Sequence, residues 1–358
     1  MQERVEGISA ELSNTETAPK YELGRANVLR LWLLAPFSLL YGLMIWVRHC
    51  LFDWKILPST SYPIPVLCIG NLEAGGSGKT PMADWIINEF SSKYKIAYLS
   101  RGYERSSRGS VIANEHSTPE QIGDEPFLIF QRWKAGIKVV VDGNRRRGVE
   151  LIRKNFPDVN LIVLDDGYQH RYVTPRVSVL LTSWSRPFFN NYLLPSGTLR
   201  DVQSRYKQAT AFIFTKALQA DAGSLALTTQ EWKNNGLIEK PLFVSTVQYE
   251  TPINGSGDVL NNGQRVILVA GLADNRPFFS YASGRFEAIK TISKPDHYRY
   301  SPNFFREYSL ENYPILTTEK DFYKLLAFAP DPKQIYYLPI KIDIYPKQLF
   351  IETIESRF

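Results

Sequence analysis

The chain is poor in the residues that staple or metallate a fold. It has 358 residues but only two cysteines and four histidines. Cys50 and Cys68 form no C-x-x-C pair, and Cys68 lies in an apolar run. Two reduced thiols are expected; a disulfide scaffold and a Cys/His metal cluster are excluded. There is no internal repeat and no low-complexity segment. A secretory signal is lacking too, because the first apolar run starts late and no small-x-small cleavage site follows it. The net charge is only +6. That excess suits an acidic ligand or an anionic membrane surface and is too small to argue for nucleic acid.

What is present is the composition of a globular protein, 44% hydrophobic and 22% charged, long enough for two ordinary domains or one large one. Residues 1–24 are polar and aperiodic, and are expected to be a disordered tail. Residues 25–56 contain "LWLLAPFSLLYGLMIWV", Leu31 to Val47, without a charge. A spanning helix needs ~20 residues, so the run sits at the short limit. Basic residues flank both ends, which leaves orientation undetermined. Trp32, Trp46 and Trp54 suit an interfacial belt. Three readings stand: an inserted or interfacial anchor, a full span, and a buried core helix.

From Pro65 strands and helices alternate. "VLCIGN", "KIAYLS", "KVVVDG" and "NLIVLDD" read as buried strands, with amphipathic helices between them. This spacing predicts an α/β fold with a P-loop-type parallel sheet flanked by helices. Further strands follow, among them "AFIFTK", "LFVSTV", "RVILVAGL" and "QIYYLPIKI". A boundary near Lys216 is expected, giving a P-loop kinase domain at 57–215 and a smaller α/β domain at 216–358.

"CIGNLEAGGSGKTPM", Cys68 to Met82, ends as a Walker A motif but has Glu73 where G-x-x-x-x-G-K-[ST] requires glycine. The context is nevertheless strand, glycine-rich turn, helix. Backbone N–H groups and a helix N-terminus make the anion site, so glycine matters only where the chain bends or approaches the ligand. Gly75, Gly76, Ser77, Gly78, Lys79 and Thr80 are the expected nucleotide-binding residues. Lys79 would reach the β/γ-phosphates and Thr80 would ligate Mg²⁺. Downstream, "NLIVLDDGYQH" ends a strand in Asp165-Asp166, a Walker B pattern. Asp165 would hold the Mg²⁺ shell, and Asp166 would be a second carboxylate near the phosphates.

Several segments together resemble one family, the tetraacyldisaccharide 4'-kinases of lipid A synthesis. They are "GNLEAGGSGKTP" (70–81), "SRGYER" (100–105), "GDEP" (123–126), "DDGYQH" (165–170), "LLPSGTLRD" (193–201), "PDHY" (295–298) and "TTEKD" (317–321). The family's loop has this spacing, with no glycine at the position of Glu73. Asp201 stands where the family more often has glutamate, which puts a polar contact there in doubt. The resemblance implies transfer of the ATP γ-phosphate to the 4'-hydroxyl of a tetraacylated glucosamine disaccharide 1-phosphate. It also implies a site between two α/β/α domains at the cytosolic face of the bacterial inner membrane. It assigns the hydroxyl proton to Asp124, assisted by His297. The expected partners are the acylated disaccharide and the lipid surface, with no nucleic acid, and the chain is read as a monomer.

Other candidates come from position. Arg101 and Tyr103 follow a strand end, where open α/β sheets bind ligands. His170 is placed near phosphates or substrate. Arg145, Arg146 and Arg147 could grip the disaccharide's 1-phosphate, or simply begin a solvated helix. The rival reading is a P-loop GTPase of metallochaperone or translocation-factor type. It would want the guanine motif N-K-x-D; "TTEKD" lacks the asparagine.

Overall fold

The computed structural model describes residues 25–308 and 313–358. The tail expected at 1–24 lies outside the described residues. In chain order the first part comprises α1 (Arg25–Asp53), β1 (Val66–Asn71), α2 (Lys79–Phe90), β2 (Ile96–Ser100) and β3 (Val111–Ile112). Then come α3 (Pro119–Ile122), α4 (Asp124–Trp133), β4 (Lys138–Val141), α5 (Arg145–Asn155), β5 (Leu161–Asp165), β6 (Val177–Ser183), β7 (Ala211–Thr215), α6 (Ala222–Asn234) and β8 (Leu242–Tyr249). The second part has β9 (Ile253–Asn254), β10 (Arg265–Ala270), α7 (Arg276–Ser283), β11 (Glu287–Ser293), α8 (Phe304–Tyr308) and β12 (Ile315–Thr318). It closes with α9 (Glu319–Leu326), β13 (Ile335–Leu338), β14 (Ile340–Tyr345) and α10 (Lys347–Glu355).

A nine-stranded sheet runs in the order β14-β8-β7-β6-β1-β5-β2-β4-β3. Its strands are parallel except β14 and β3, which pair antiparallel at the two edges. All six residues of β1 are buried. That is the signature of a central parallel strand covered on both faces, where no polar alternation survives. Leu67 and Ile69 pack under α2 and α10 with Trp85, Ile86 and Phe350. Cys68 and Val66 face the other way, against Val149 and Ile152 of α5. Each fully buried Leu or Ile contributes about 1.5–3 kcal/mol, so this double-sided core fixes where β1 ends and the loop after it begins. β1 lies between β5 and β6, so the order reverses there, and crevices at such switch points bind ligands.

A second, five-stranded sheet has the order β11-β10-β12-β13-β9. The boundary expected at residue 216 is corrected by this pairing. β8 extends the first sheet beyond β7, and β14 returns from the far end of the chain to cover β8. The second sheet is built from residues 253–338 only. "QIYYLPIKI" is likewise two strands, not one. Pro339 has no N–H to donate, and the chain breaks there between β13 in one sheet and β14 in the other.

Helix α1 is not a core helix. Trp32, Leu33, Phe37, Leu39, Leu40, Leu43, Met44 and Trp46 are all exposed. A narrower edge of the helix is docked on the body by polar groups. The Ser38 hydroxyl donates to the Leu193 carbonyl at 3.0 Å, and the Tyr41 hydroxyl to the Arg200 carbonyl at 3.1 Å. His49 Nε2 meets Asp201 Oδ1 at 2.6 Å, with both side chains buried. The polar contact in doubt at Asp201 is therefore made, and its partner is the apolar helix.

Candidate active site

β1 ends at Asn71, and the chain reaches α2 through a turn with Gly75 at φ 111° and Gly78 at φ 82°. Both are left-handed values that favour glycine. Glu73 needs no such freedom. It forms a strand-like bridge with Leu199, and the Ala74 N–H donates to the Thr198 carbonyl at 2.7 Å. The segment 191–199 thus replaces the missing glycine turn with a paired one. The Glu73 carboxyl is buried and accepts from Asn191 Nδ2 at 3.1 Å. Burial pushes its pKa up, against that hydrogen bond.

Lys79 opens α2. Its ammonium donates to Asn71 Oδ1 at 3.2 Å and lies 3.7 Å from Asp166 Oδ1. Arg200 grips the same pair: its guanidinium donates to both Asp166 oxygens, one at 3.0 Å, and to Asn71 Oδ1 at 2.5 Å. Burial would raise the Asp166 pKa, but the Arg200 hydrogen bond, Lys79 and Arg145 outweigh it and hold the carboxyl down to about 2. Asp165 is the opposite case. Its Oδ2 accepts from the Tyr98 hydroxyl at 2.7 Å, while its buried Oδ1 has no partner. Burial, then the charge of Asp166, push it up to about 6.

Asp124 is the first residue of α4, where the helix dipole favours a carboxylate. Its Oδ2 meets His297 Nδ1 at 3.2 Å and Lys324 Nζ at 3.2 Å, with Lys320 Nζ at 3.6 Å. Burial opposes ionisation, but His297, Lys324 and Lys320 win and hold the carboxyl down to about 2. The His297 pKa is raised above 6.5, chiefly by its bond to Asp124, against the opposing effect of burial. Lys320 and Lys324 sit four apart on one face of α9. That helix is fixed against α4 by Arg132, which pairs with Asp84 of α2 and donates to Glu319 at 2.8 Å. The two clusters adjoin: Glu125, next to Asp124, contributes to the upward shift of Asp165.

The remaining sequence candidates divide. Tyr103 is exposed and its ring centroid lies 5.4 Å from that of His297. Burial, then Arg145, Arg101 and Arg48, lower the His170 pKa to about 4, so this imidazole is neutral at pH 7 beside those cations. The three consecutive arginines have different surroundings. Arg145 is buried, donates to the Asp142 and Gly143 carbonyls and faces Asp166. Arg147 pairs with Asp142 at 2.7 Å, and Arg146 neighbours Tyr62 and Glu150. Sequence reasoning assigned no role to Asn71, Arg200, Lys320 or Lys324. The first three lay inside quoted segments; the i+4 spacing from Lys320 was the one signal for Lys324. Asp166 at φ 47° and His297 at φ 56° are non-glycine residues in left-handed conformation, a strain of roughly 1–3 kcal/mol each that concentrates at functional sites.

A glycine-rich turn between a parallel strand and a helix, a lysine at its end and a paired-aspartate strand beside it define a P-loop nucleotide-binding protein. The comparisons narrow the class. The family model LpxK, tetraacyldisaccharide-1-P 4'-kinase, matches residues 30–358. The tetraacyldisaccharide 4'-kinase of Cytophaga hutchinsonii is 34% identical over 336 residues, 91% of this chain and 95% of that protein. That of Flavobacterium johnsoniae is 36% identical over 326 residues, 88% of this chain and 93% of that protein. A crystal structure of LpxK from Aquifex aeolicus, in complex with ATP, superposes with a TM-score of 0.74 at 28% identity, covering 92% of this chain and 99% of that one. The chain belongs to the tetraacyldisaccharide 4'-kinase family. It is a kinase of lipid A synthesis, and the GTPase reading is not favoured.

Proposed function

We propose that ATP is the phosphate donor, that Lys79 is the cation on its transferring phosphates, and that Asp124 accepts the proton of the sugar 4'-hydroxyl. The observation that carries this assignment is the Asp124–His297 contact at 3.2 Å, one residue from Glu125, whose charge reaches Asp165. Phosphoryl transfer has a loose transition state, so positioning and charge neutralisation weigh more than base strength. A carboxylate held near pKa 2 is ionised throughout the physiological range, and the neighbouring imidazole can share the proton it receives. Arg200 would keep Asp166 in place beside Lys79. Arg101, Tyr103, Arg145 and His170 are proposed to line the approach of the acceptor.

Mg²⁺ fits the residues present. The buried Asp165 Oδ1 has no protein partner, Thr80 is the second residue of α2, and hard oxygen donors are what this ion takes. Bound there, it would neutralise charge on the donor's phosphates. The exposed face of α1 supports placing the chain at the inner-membrane surface, where a four-chain lipid substrate resides. The reading is tested with purified protein in detergent, Mg²⁺ and the tetraacyl disaccharide 1-phosphate, comparing ATP with GTP. A 4'-phosphorylated product from ATP, lost in Asp124→Asn, is expected. Equal use of GTP, or full activity in Asp124→Asn, would overturn the donor or the base assignment respectively.

A further inference from the structure

No part in the reaction has fallen to "TTEKD" (317–321). Its last three residues open α9, and each contacts a different element. Glu319 accepts from Arg132 of α4 at 2.8 Å. The buried Asp321 accepts from the Gly271 N–H at 2.7 Å and from the Thr318 hydroxyl at 2.8 Å. Lys320, fixed between them, sends its ammonium into the Asp124 cluster. It lies 2.8 Å from Asp296 Oδ1, 3.3 Å from Glu125 Oε1, 3.6 Å from Asp124 Oδ2 and 3.3 Å from His297 Nδ1. Burial opposes its charge, but Glu125, Asp296 and Asp124 outweigh it and raise the lysine pKa. The group is a cation at every pH the enzyme meets.

An ammonium can only donate, so its contact with His297 needs a lone pair on Nδ1. The same nitrogen meets Asp124 Oδ2 at 3.2 Å, a contact that needs a hydrogen there. One protonation state cannot satisfy both. Nε2 decides the neutral state. It faces two carboxylates, Asp296 Oδ2 at 3.7 Å and Glu125 Oε1 at 3.9 Å, so the single ring hydrogen belongs on Nε2 and the lone pair on Nδ1. We propose that Lys320 is a positioning residue for the proton transfer: its ammonium holds the Nδ1 lone pair of neutral His297, and withdraws onto Asp296 and Glu125 when Nδ1 takes the proton. This rests on the assignment of the hydroxyl proton to Asp124 and His297 above. In that step the sugar O–H bond breaks and its proton bonds to Asp124 Oδ2. The oxygen's electron pair forms the bond to the γ-phosphorus, and the bond from that phosphorus to its bridging oxygen breaks, its pair leaving on the nucleoside diphosphate. A carboxyl held at about 2 cannot keep the proton against an imidazole raised above 6.5, so it passes on to Nδ1.

Two readouts on the full-length protein in detergent test this: the pH profile of kcat/KM, and nitrogen-15 NMR of the imidazoles. The chain has only four histidines, so the His297 signal is assigned by its loss in His297→Gln. In the wild type the neutral ring should carry its hydrogen on Nε2. A wild-type ring with the hydrogen on Nδ1 would overturn the proposal without any variant. Lys320→Met keeps the stem and removes the charge. Asp124 raises the His297 pKa, while burial and then Lys320 oppose the rise. Losing Lys320 should therefore carry the acid limb up by about one pH unit, a tenfold loss of kcat/KM at its foot, and shift the neutral ring toward Nδ1–H. The other groups around the ring stay in place: Asp124 and Glu125 of α4, Asp296 beside it, Tyr103 against it, and Lys324 on Asp124. Lys320→Arg keeps the charge and should hold the limb within about 0.3 pH unit of wild type. A Lys320→Met enzyme that loses activity evenly across pH, with limb and tautomer unmoved, would make Lys320 a structural contact and overturn the inference. So would an Arg limb that moves as far as the Met limb. Full activity in Asp124→Asn brings down the base assignment, and this inference with it.

Discussion

Asp124 and His297 are 173 positions apart in the chain, yet their side chains meet at 3.2 Å. One opens a helix of the first sheet's layer, and the other lies in a loop of the second unit. The contact exists because Arg132, bridging Asp84 and Glu319, locks α4 against α9, and α9 carries the two lysines that flank the pair. This arrangement makes the pH response specific. The His297 pKa is raised above 6.5 by its bond to Asp124. Below that raised value the imidazolium cannot take up the hydroxyl's proton, so kcat/KM should fall as pH drops through it. The acid limb should therefore sit above 6.5 and disappear in His297→Gln, leaving a lower, flatter profile. Stability runs the other way: the raised pKa stabilises the fold fully below 6.5, and that contribution is lost as pH rises through the folded value. A His297→Gln enzyme with an unmoved acid limb would remove the imidazole from the mechanism.

Lys79→Met should lower kcat by on the order of 10³, the scale of losing one cation from the transferring phosphates. The fold should survive, because the lysine is only half-buried and its contacts are with Asn71 and Asp166. Asp166 would still be held by Arg200. Product formation at saturating ATP is the measurement, with circular dichroism as the fold control. Near-normal turnover would leave the turn without a phosphate role.

Local order in the sequence decided what could be read from it. β1, the turn at Gly75–Gly78 and α2 were legible because period, glycine and helix start coincide within 25 residues. The Asp165-Asp166 strand was legible for the same reason. Arg200 was not, because its role comes from tertiary pairing: the segment 193–201 is threaded between α1 and the phosphate loop, and no periodicity marks that. The unit boundary failed at residue 216 because strand composition does not say which sheet a strand will join. β8 and β14 read as ordinary strands, and only the open edge of β7 explains their place. Asp124 stood out solely through the family resemblance; on spacing alone it is one aspartate at a turn.

His49→Ala should destabilise the protein. It would leave the Asp201 carboxylate, 1% exposed, facing a buried space without its 2.6 Å partner. Breaking a buried pair from one side costs on the order of 3 kcal/mol, a drop of several degrees in Tm at this chain length. Thermal unfolding in detergent measures it. An unchanged Tm would mean that the remaining contacts of α1, among them Ser38, Tyr41, Arg48 with the Gln169 carbonyl and the Arg171–Asp53 pair, suffice to dock it.

Anchoring and docking are separable on α1, and the structure dictates how to separate them. Deleting residues 1–54 would remove the exposed apolar face, but it would also strip Asp201 and Arg171 of their partners and uncover the bed of buried Phe52. A loss of activity in that truncation would not say which effect caused it. Leu33, Phe37, Leu40 and Met44 offer a cleaner test. They are exposed and spaced by four, three and four, so they form one stripe along the helix. None of them makes the polar contacts of Ser38, Tyr41 or His49. Replacing all four with glutamine keeps helix propensity and leaves the docking edge intact. Each apolar side chain withdrawn from lipid forfeits about 1.5–3 kcal/mol, enough together to shift partition decisively. The quadruple variant should move to the soluble fraction in a vesicle sedimentation assay. Its Tm should match wild type, and its kcat on detergent-dispersed substrate should stay within about threefold, since none of the four stripe residues contacts the Asp124 cluster among the described residues. A variant that still sediments with vesicles would place the anchor elsewhere on the protein. One that partitions as expected but loses kcat in detergent would show that the stripe itself contacts the acyl chains of the substrate during turnover.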